Sequence, residues 1–241
     1  MREKRAWLLD DASRASAWVD SGIGREPIPR LQQPVESATL DVFLQEEYVT
    51  TDGDRSFGDL YIEVMGIAAQ HIAAVTPDQW SNDTPCGEWN VRDVTNHLIY
   101  ENLWAAELFT GKTIEEVGDK LEGDLTGNDP SVQFAKSVEA ATAVVGAPGA
   151  MDAPCHISGG DVPGSEYASQ LFMDLFIHGW DIATGAGQDQ TLDAELVALC
   201  MPVAEKVRAS IGDSDAFGDD VRGDTSDNPQ TQLLAILGRQ G

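Results

Sequence analysis

Positive charge is what this chain has least of. Lys and Arg together number 15 among 241 residues, against 41 Asp and Glu, for a formal net charge of -26. Few cations are left to neutralise phosphates, which excludes nucleic-acid binding through backbone contacts. An anionic membrane surface repels the chain for the same reason. Cysteine is also scarce. Cys86, Cys155 and Cys200 are odd in number and show no CxxC spacing, so neither a disulfide framework nor a structural zinc knot is indicated, and reduced thiols are expected. No apolar run reaches the 18 or so residues that a membrane-spanning helix needs. The opening Met1–Asp11 is basic but is soon interrupted by acids, unlike the apolar segment of a secretory signal, and a cytoplasmic location is expected. Also missing are a P-loop, a G-x-G-x-x-G after a strand, a G-x-S-x-G and an H-E-x-x-H. Nucleotide hydrolysis, dinucleotide cofactors, serine hydrolysis and zincin chemistry therefore lack support.

What is present is helical periodicity. Residues 1–54 have little of it and are broken at Gly22-Ile-Gly24 and Pro27-Ile-Pro29, so they read as a loosely packed or disordered extension. From Phe57 onward Leu60, Tyr61, Val64, Ile67, Ala68, His71, Ile72 and Val75 recur at three- and four-residue intervals. Asn90 with Asp93 caps a second helix, which Gly111 closes, and Asp129-Pro130 starts a third that ends at Gly146. Residues 150–164, rich in Gly and Pro, suit a short hairpin or irregular insert, after which Ser165 is expected to cap a helix ending near Gly185 or Gly187. Asp193 starts a fifth helical segment, and Gln232–Leu237 a short terminal one. The economical architecture for residues 55–241 is one all-α domain, a helical bundle with extra C-terminal helices.

The fourth of these helices carries Asp174 and His178. Four residues apart, they share a face with Cβ atoms about 5 to 6 Å apart, close enough to grip one ion. Among 41 acidic residues such a pair arises readily by chance. Asp174 stands out because Leu171, Phe172, Leu175, Phe176 and Ile177 surround it, where an unpaired carboxylate is costly to bury. A metal or a charged partner offsets that cost, and cations are scarce in this half of the chain. Of the remaining histidines, His97 adjoins the Val94/Leu98 seam and is the natural third ligand. Two imidazoles and one carboxylate leave a coordination position open for water or substrate, as in a catalytic site. Asp181, one turn beyond His178, reads either as the group that orients that imidazole or as an ordinary helix-end acid. Glu101, one turn beyond His97, reads as a fourth ligand, a general base or an exposed acid. His71 suits the core and His156 has no role assigned. Trp89, Trp104 and Trp180 either line a cavity or fill the core.

Three separated segments then carry a resemblance: Thr84-Pro-Cys-Gly-Glu-Trp-Asn-Val-Arg-Asp-Val-Thr-Asn-His97, Asp174-Leu-Phe-Ile-His-Gly-Trp-Asp-Ile-Ala183 and Leu233-Leu-Ala-Ile-Leu-Gly-Arg239. In that order they resemble an actinobacterial-type metal-binding family of the DinB/YfiT-like superfamily, alongside the metal-binding domain of mycothiol-dependent maleylpyruvate isomerase. The resemblance covers residues 57 to 239 or so. It implies a four-helix bundle holding a divalent metal, usually zinc, with nickel, manganese or iron as alternatives, through residues that correspond here to His97, Asp174 and His178. This chain has Asp where the isomerase and several relatives have Glu or His. Relatives of known activity use the metal to activate a low-molecular-weight thiol, mycothiol or bacillithiol, for transfer or isomerisation.

The leading expectation is thus a metal-dependent thiol transferase or isomerase acting on a small electrophilic substrate. Two alternatives stand beside it: a non-haem iron oxygenase, which uses the same kind of ligand triad, and a non-catalytic metal-bound sensor or ligand-binding module. No nucleic-acid or membrane partner is expected, and the resemblance is compatible with a homodimer.

Overall fold

The computed structural model describes residues 55–211 and 228–239; the expected extension over residues 1–54 lies outside them. Seven helices and one hairpin follow one another there: α1 (Phe57–Ala73), α2 (Val91–Leu108), α3 (Ile114–Val117), α4 (Pro130–Val145), β1 (Pro154–Ile157), β2 (Gly160–Pro163), α5 (Gly164–Gly185), α6 (Ala194–Ile211) and α7 (Pro229–Ile236).

Side-chain caps set most of the helix starts. Ser56 with Asp59, Asn90 with Asp93 and Thr113 with Glu116 form reciprocal capping boxes for α1, α2 and α3, while Asp129 and Asn228 cap α4 and α7 ahead of proline. Asp193 does the same for α6 by accepting from the amides of Glu195 and Leu196. The expected Ser165 cap is not used. Helix α5 begins at Gly164 after Pro163, with no side-chain cap bond. The carbonyls of Ala153 and Met151 accept from the Gly164 and Ser165 amides at 2.8 Å each, so the preceding segment does the capping. The expected closure of α2 at Gly111 is also displaced, since the C-cap is Phe109; Gly111, at φ +82°, forms the turn just beyond. Helix α3, four residues long, was not anticipated because one turn carries no periodicity.

Helix α5 packs along α1 and α2, and α4 packs along α2 and α1, so these four long helices enclose one core. Leu60, Val64, Leu98, Phe134, Leu171 and Phe172 are all within it. A buried polar chain ties three of them together: Tyr61 Oη donates to Asn102 Oδ1 at 2.6 Å, Asn102 Nδ2 donates to Ser137 Oγ at 3.0 Å, and that hydroxyl donates to the Phe134 carbonyl. The hairpin pairs Pro154 with Pro163 and Ile157 with Gly160 and leads into α5. Helix α7 lies on α6. Among the described residues no helix is long and apolar enough to cross a membrane.

The start of α5 is the tightest backbone approach in this frame. A Cβ on Gly164 would lie 2.0 Å from the Ala150 carbonyl oxygen and 2.9 Å from the Phe109 ring. Gly164→Ala is expected to cost about 1–3 kcal/mol of overpacking strain, more than alanine gains in helix propensity. Urea unfolding should register it as a lower midpoint, and an unchanged midpoint would show that the hairpin connection moves aside freely.

Candidate metal centre

From Leu171 to Ala183 every residue of α5 is buried, because the helix is covered on all its faces. Asp174, His178 and Asp181 thus stand at 0%, 3% and 0% exposure, where each charge needs a partner.

Asp174 meets two imidazoles. Its Oδ2 lies 2.9 Å from His97 Nε2, contributed by α2, and its Oδ1 lies 3.5 Å from His178 Nε2 one turn along α5. The two rings stand edge to face, with centroids 4.8 Å apart. One donor atom from each of the three residues falls within 4.8 Å of the others. Metal–ligand bonds of about 2.0–2.2 Å in a tetrahedron separate donors by roughly 3.3–3.6 Å, so this donor set is already spaced to hold a divalent ion. Nitrogen and carboxylate donors of this kind suit zinc and its first-row neighbours.

Behind the triad a second layer fixes His178. Its Nδ1 lies 2.8 Å from Asp181 Oδ2, which leaves Nε2 facing Asp174. Asp181 is itself clamped by Arg239, whose Nη2 donates to Oδ2 at 2.7 Å and whose Nε donates to Oδ1 at 3.2 Å. Arg239 is only 4% exposed. It is held at the end of α7 by its amide bond to the Leu234 carbonyl and by Nη1 donating to Leu237 O. Burial alone would raise the Asp181 pKa, but Arg239 and His178 hold it below the usual carboxylate value. Burial likewise opposes a proton on His178. The charge of Asp174, with Cys86 and the Asp181 bond, outweighs it and pushes the pKa up to about 10. His97 goes the other way, since burial exceeds the pull of Asp174 and lowers its pKa. Positive charge is drawn to the His178 side of the pair.

Glu101 is fully buried, and its Oε1 lies 4.0 Å from His97 Nδ1. Neither of its oxygens has a hydrogen-bond partner. Burial, then the charge of Asp174, raises its pKa well above the usual carboxylate range. An exposed acid, one of the readings open from the sequence, is thereby overturned: Glu101 packs into the bundle one turn beyond His97.

Residues 74–90 cover the centre. Gln79 and Asn82 donate to the Ala186 and Gly185 carbonyls at 2.9 Å each, fastening this loop to the end of α5. Thr84 Oγ1 donates to the Trp89 carbonyl and accepts from the Cys86 amide, and Gly87, at φ +56°, completes the turn. Trp89 thereby sits over both imidazoles, its ring centroid 5.0 Å from that of His97 and 5.9 Å from that of His178. Cys86 comes within hydrogen-bonding reach of His178 and forms a second group of donors with His178 and Asp181. Arg239 already occupies both oxygens of Asp181, so this second group has its cation and is not a separate ion site. Trp104 and Trp180 are core residues. His71 is half-buried and bonds Gln188, while His156 bonds Asp161 across the hairpin.

The comparison with known proteins follows this geometry. Residues 64–183 match the mycothiol maleylpyruvate isomerase N-terminal domain family. This stretch of the chain belongs to that family, within the DinB-like superfamily. Two similar proteins of Mycobacterium tuberculosis, the uncharacterized proteins MT0763 and Rv0738, are each 29% identical over 177 residues, covering 70% of this chain and 89% of their own length. No solved structure matches.

Two contributors to the site were not singled out in the sequence reading. Arg239 closed a quoted segment but was given no role, and the scarcity of cations argued against such a partner. Cys86 was expected only to be a reduced thiol. Neither residue has a spacing signal, because each reaches the site from a different element. Removing the guanidinium leaves the Asp181 carboxylate buried with only His178 beside it. Arg239→Ala is expected to destabilise the protein by about 3–5 kcal/mol, and the double change Arg239→Leu with Asp181→Leu by less. Chemical denaturation of both variants checks the order. Equal losses would mean that Arg239 acts through packing alone.

Proposed function

We propose that the protein is a divalent-metal centre of the DinB/YfiT four-helix-bundle type, with zinc as the preferred ion and mycothiol or a similar low-molecular-weight thiol as co-substrate. The reaction is transfer of that thiol to a small electrophile, or a thiol-assisted isomerisation. The convergence of His97, Asp174 and His178, three buried donors at ligand spacing, carries the reading. Family membership supplies its mycothiol part.

Each residue has a task in this reading. His97 Nε2, Asp174 and His178 Nε2 hold the ion and leave a coordination position open. A divalent ion held there would supply Lewis acidity, favouring the thiolate form of a coordinated thiol at neutral pH. Two neutral imidazoles and one carboxylate leave that ion with a net positive charge, which favours the thiolate. Asp181 fixes the His178 tautomer, and Arg239 keeps Asp181 ionised without spending its charge on the metal. Glu101, kept protonated by burial, is placed to pass a proton near His97, as a general acid or base. Trp89 shields the rings from bulk water and gives an incoming substrate an apolar wall.

Metal content decides the reading. Protein purified natively without a tag is expected to carry close to one divalent ion per chain by plasma mass spectrometry, and His97→Ala and Asp174→Ala are each expected to lose it. Wild-type protein that is metal-free and takes up no added zinc, nickel, manganese or iron would overturn the centre and leave a helical ligand-binding module.

A further inference from the structure

Cys86 is placed where a thiol would act. Its sulfur, a ring nitrogen of His178 and an oxygen of Asp181 lie within 4.8 Å of one another. His178 is common to this group and to the ligand triad, so the sulfur stands next to the centre on the side of one of its ligands. The two carboxylate oxygens of Asp181 are taken by Arg239, and the contact of the sulfur is with His178 itself.

The other two cysteines do not share this setting. Cys155 and Cys200 are buried, whereas Cys86 is partly exposed. Burial pushes the Cys155 and Cys200 thiols up, to about 11 for Cys155, which keeps both inert. Cys86 also lies outside any helix, on a turn held by Thr84 and opened by Gly87 at φ +56°. The sulfur is grouped with His178 and Asp181 and not with all three triad donors, so it reaches the ion by a change of side-chain rotamer. An internal thiol, partly open to solvent and beside one member of the triad, has the same chemistry as the external thiol proposed above.

We propose that Cys86 is an internal fourth ligand of the His97–Asp174–His178 centre, closing the position that an external thiol takes and holding the site off until that thiol displaces it. The inference rests on the metal reading of the preceding subsection. Three protein donors make an open site and four make a closed one, so this single side chain moves the centre between the two. Displacement is a ligand exchange: the incoming thiol gives up its proton as Cys86 regains one, and no oxidant or reductant is required. Charge favours the closed form at rest, because a thiolate cancels the positive charge that two neutral imidazoles and one carboxylate leave on a divalent ion.

Cobalt substitution of the full chain tests this. Cobalt(II)-loaded wild-type protein, with no thiol added, is expected to show a thiolate-to-cobalt charge-transfer band in the near ultraviolet beside the visible ligand-field bands. Cys86→Ser and Cys86→Ala should keep the visible bands and lose the ultraviolet one, and 2-mercaptoethanol should restore it. Iodoacetamide labelling gives a second readout: Cys86 should be alkylated in metal-free protein, protected by cobalt, and exposed again when 2-mercaptoethanol is added. Identical spectra for wild type and both variants, with no protection from labelling, would overturn Cys86 as a ligand while leaving the centre intact. Failure of the wild type to bind cobalt at all would overturn the centre, and Cys86 as its ligand with it.

Discussion

Helix α5 buries two carboxylates, Asp174 and Asp181, on one face two turns apart, and the rest of the site is arranged around their charge. An ionised group at 0% exposure is stable only where opposite charge or several hydrogen bonds replace its water. The two acids meet this demand differently. Asp181 receives a guanidinium through two hydrogen bonds, a permanent partner that no change of conditions removes. Asp174 faces two imidazoles. Imidazoles can take or give up a proton, so the positive charge opposite Asp174 is exchangeable: a proton on His178, whose pKa is pushed up to about 10, or an ion held in its place. A fixed cation behind the ligand shell and a replaceable one within it is the arrangement that a reversible metal centre requires.

Glu101 completes the pattern by contrast. It is as buried as the other two acids but has no cation of its own and no hydrogen bond, and its pKa rises accordingly. Trp104 Nε1 and Tyr167 Oη are also buried without partners, and Glu101 is among the charges that raise the Tyr167 pKa. Buried polar atoms that find no partner are rare in folded proteins and destabilise them by one to several kcal/mol each. Here four of the five such atoms in the described residues belong to α2 and to the first half of α5, the two helices that carry His97, Asp174 and His178. Stability is given up near the chemistry, as is usual where a fold departs from full polar satisfaction.

The parts of the fold legible in the sequence are those governed by neighbours along the chain. Asn90 with Asp93, and Asp129 before Pro130, mark helix starts because a cap needs only the next three residues. Asp174 and His178 could be paired because the helical period alone puts them on one face. Where distant chain intervenes, the reading runs short. Ser165 looked like a cap, but carbonyls from the hairpin connection at Met151 and Ala153 had already satisfied the amides it would have served. Glu101 could not be assigned as buried or exposed, since its side of α2 is decided by α1 and α5 rather than by its own stripe. Arg239 acts on a residue 58 positions earlier, and only the course of α6 and α7 brings it there.

That course gives the C-terminal helices a place in the chemistry. The family match ends at residue 183, just beyond Asp181, so α6 and α7 lie outside the matched segment. They could be taken for an appendage. Yet Gln230 bonds the backbone at Gln190 and Leu192, fastening α7 to the loop that leaves α5, and the turn after α7 aims Arg239 back at Asp181. Without that guanidinium, Asp181 would draw its positive charge from His178, favouring the imidazolium and turning a ligand into a counterion. With it, Asp181 keeps a cation of its own, so the proton that Asp174 and Asp181 draw onto His178 is free to leave where an ion would take its place. The helices outside the matched domain thus set the charge behind His178, through Arg239 acting on Asp181.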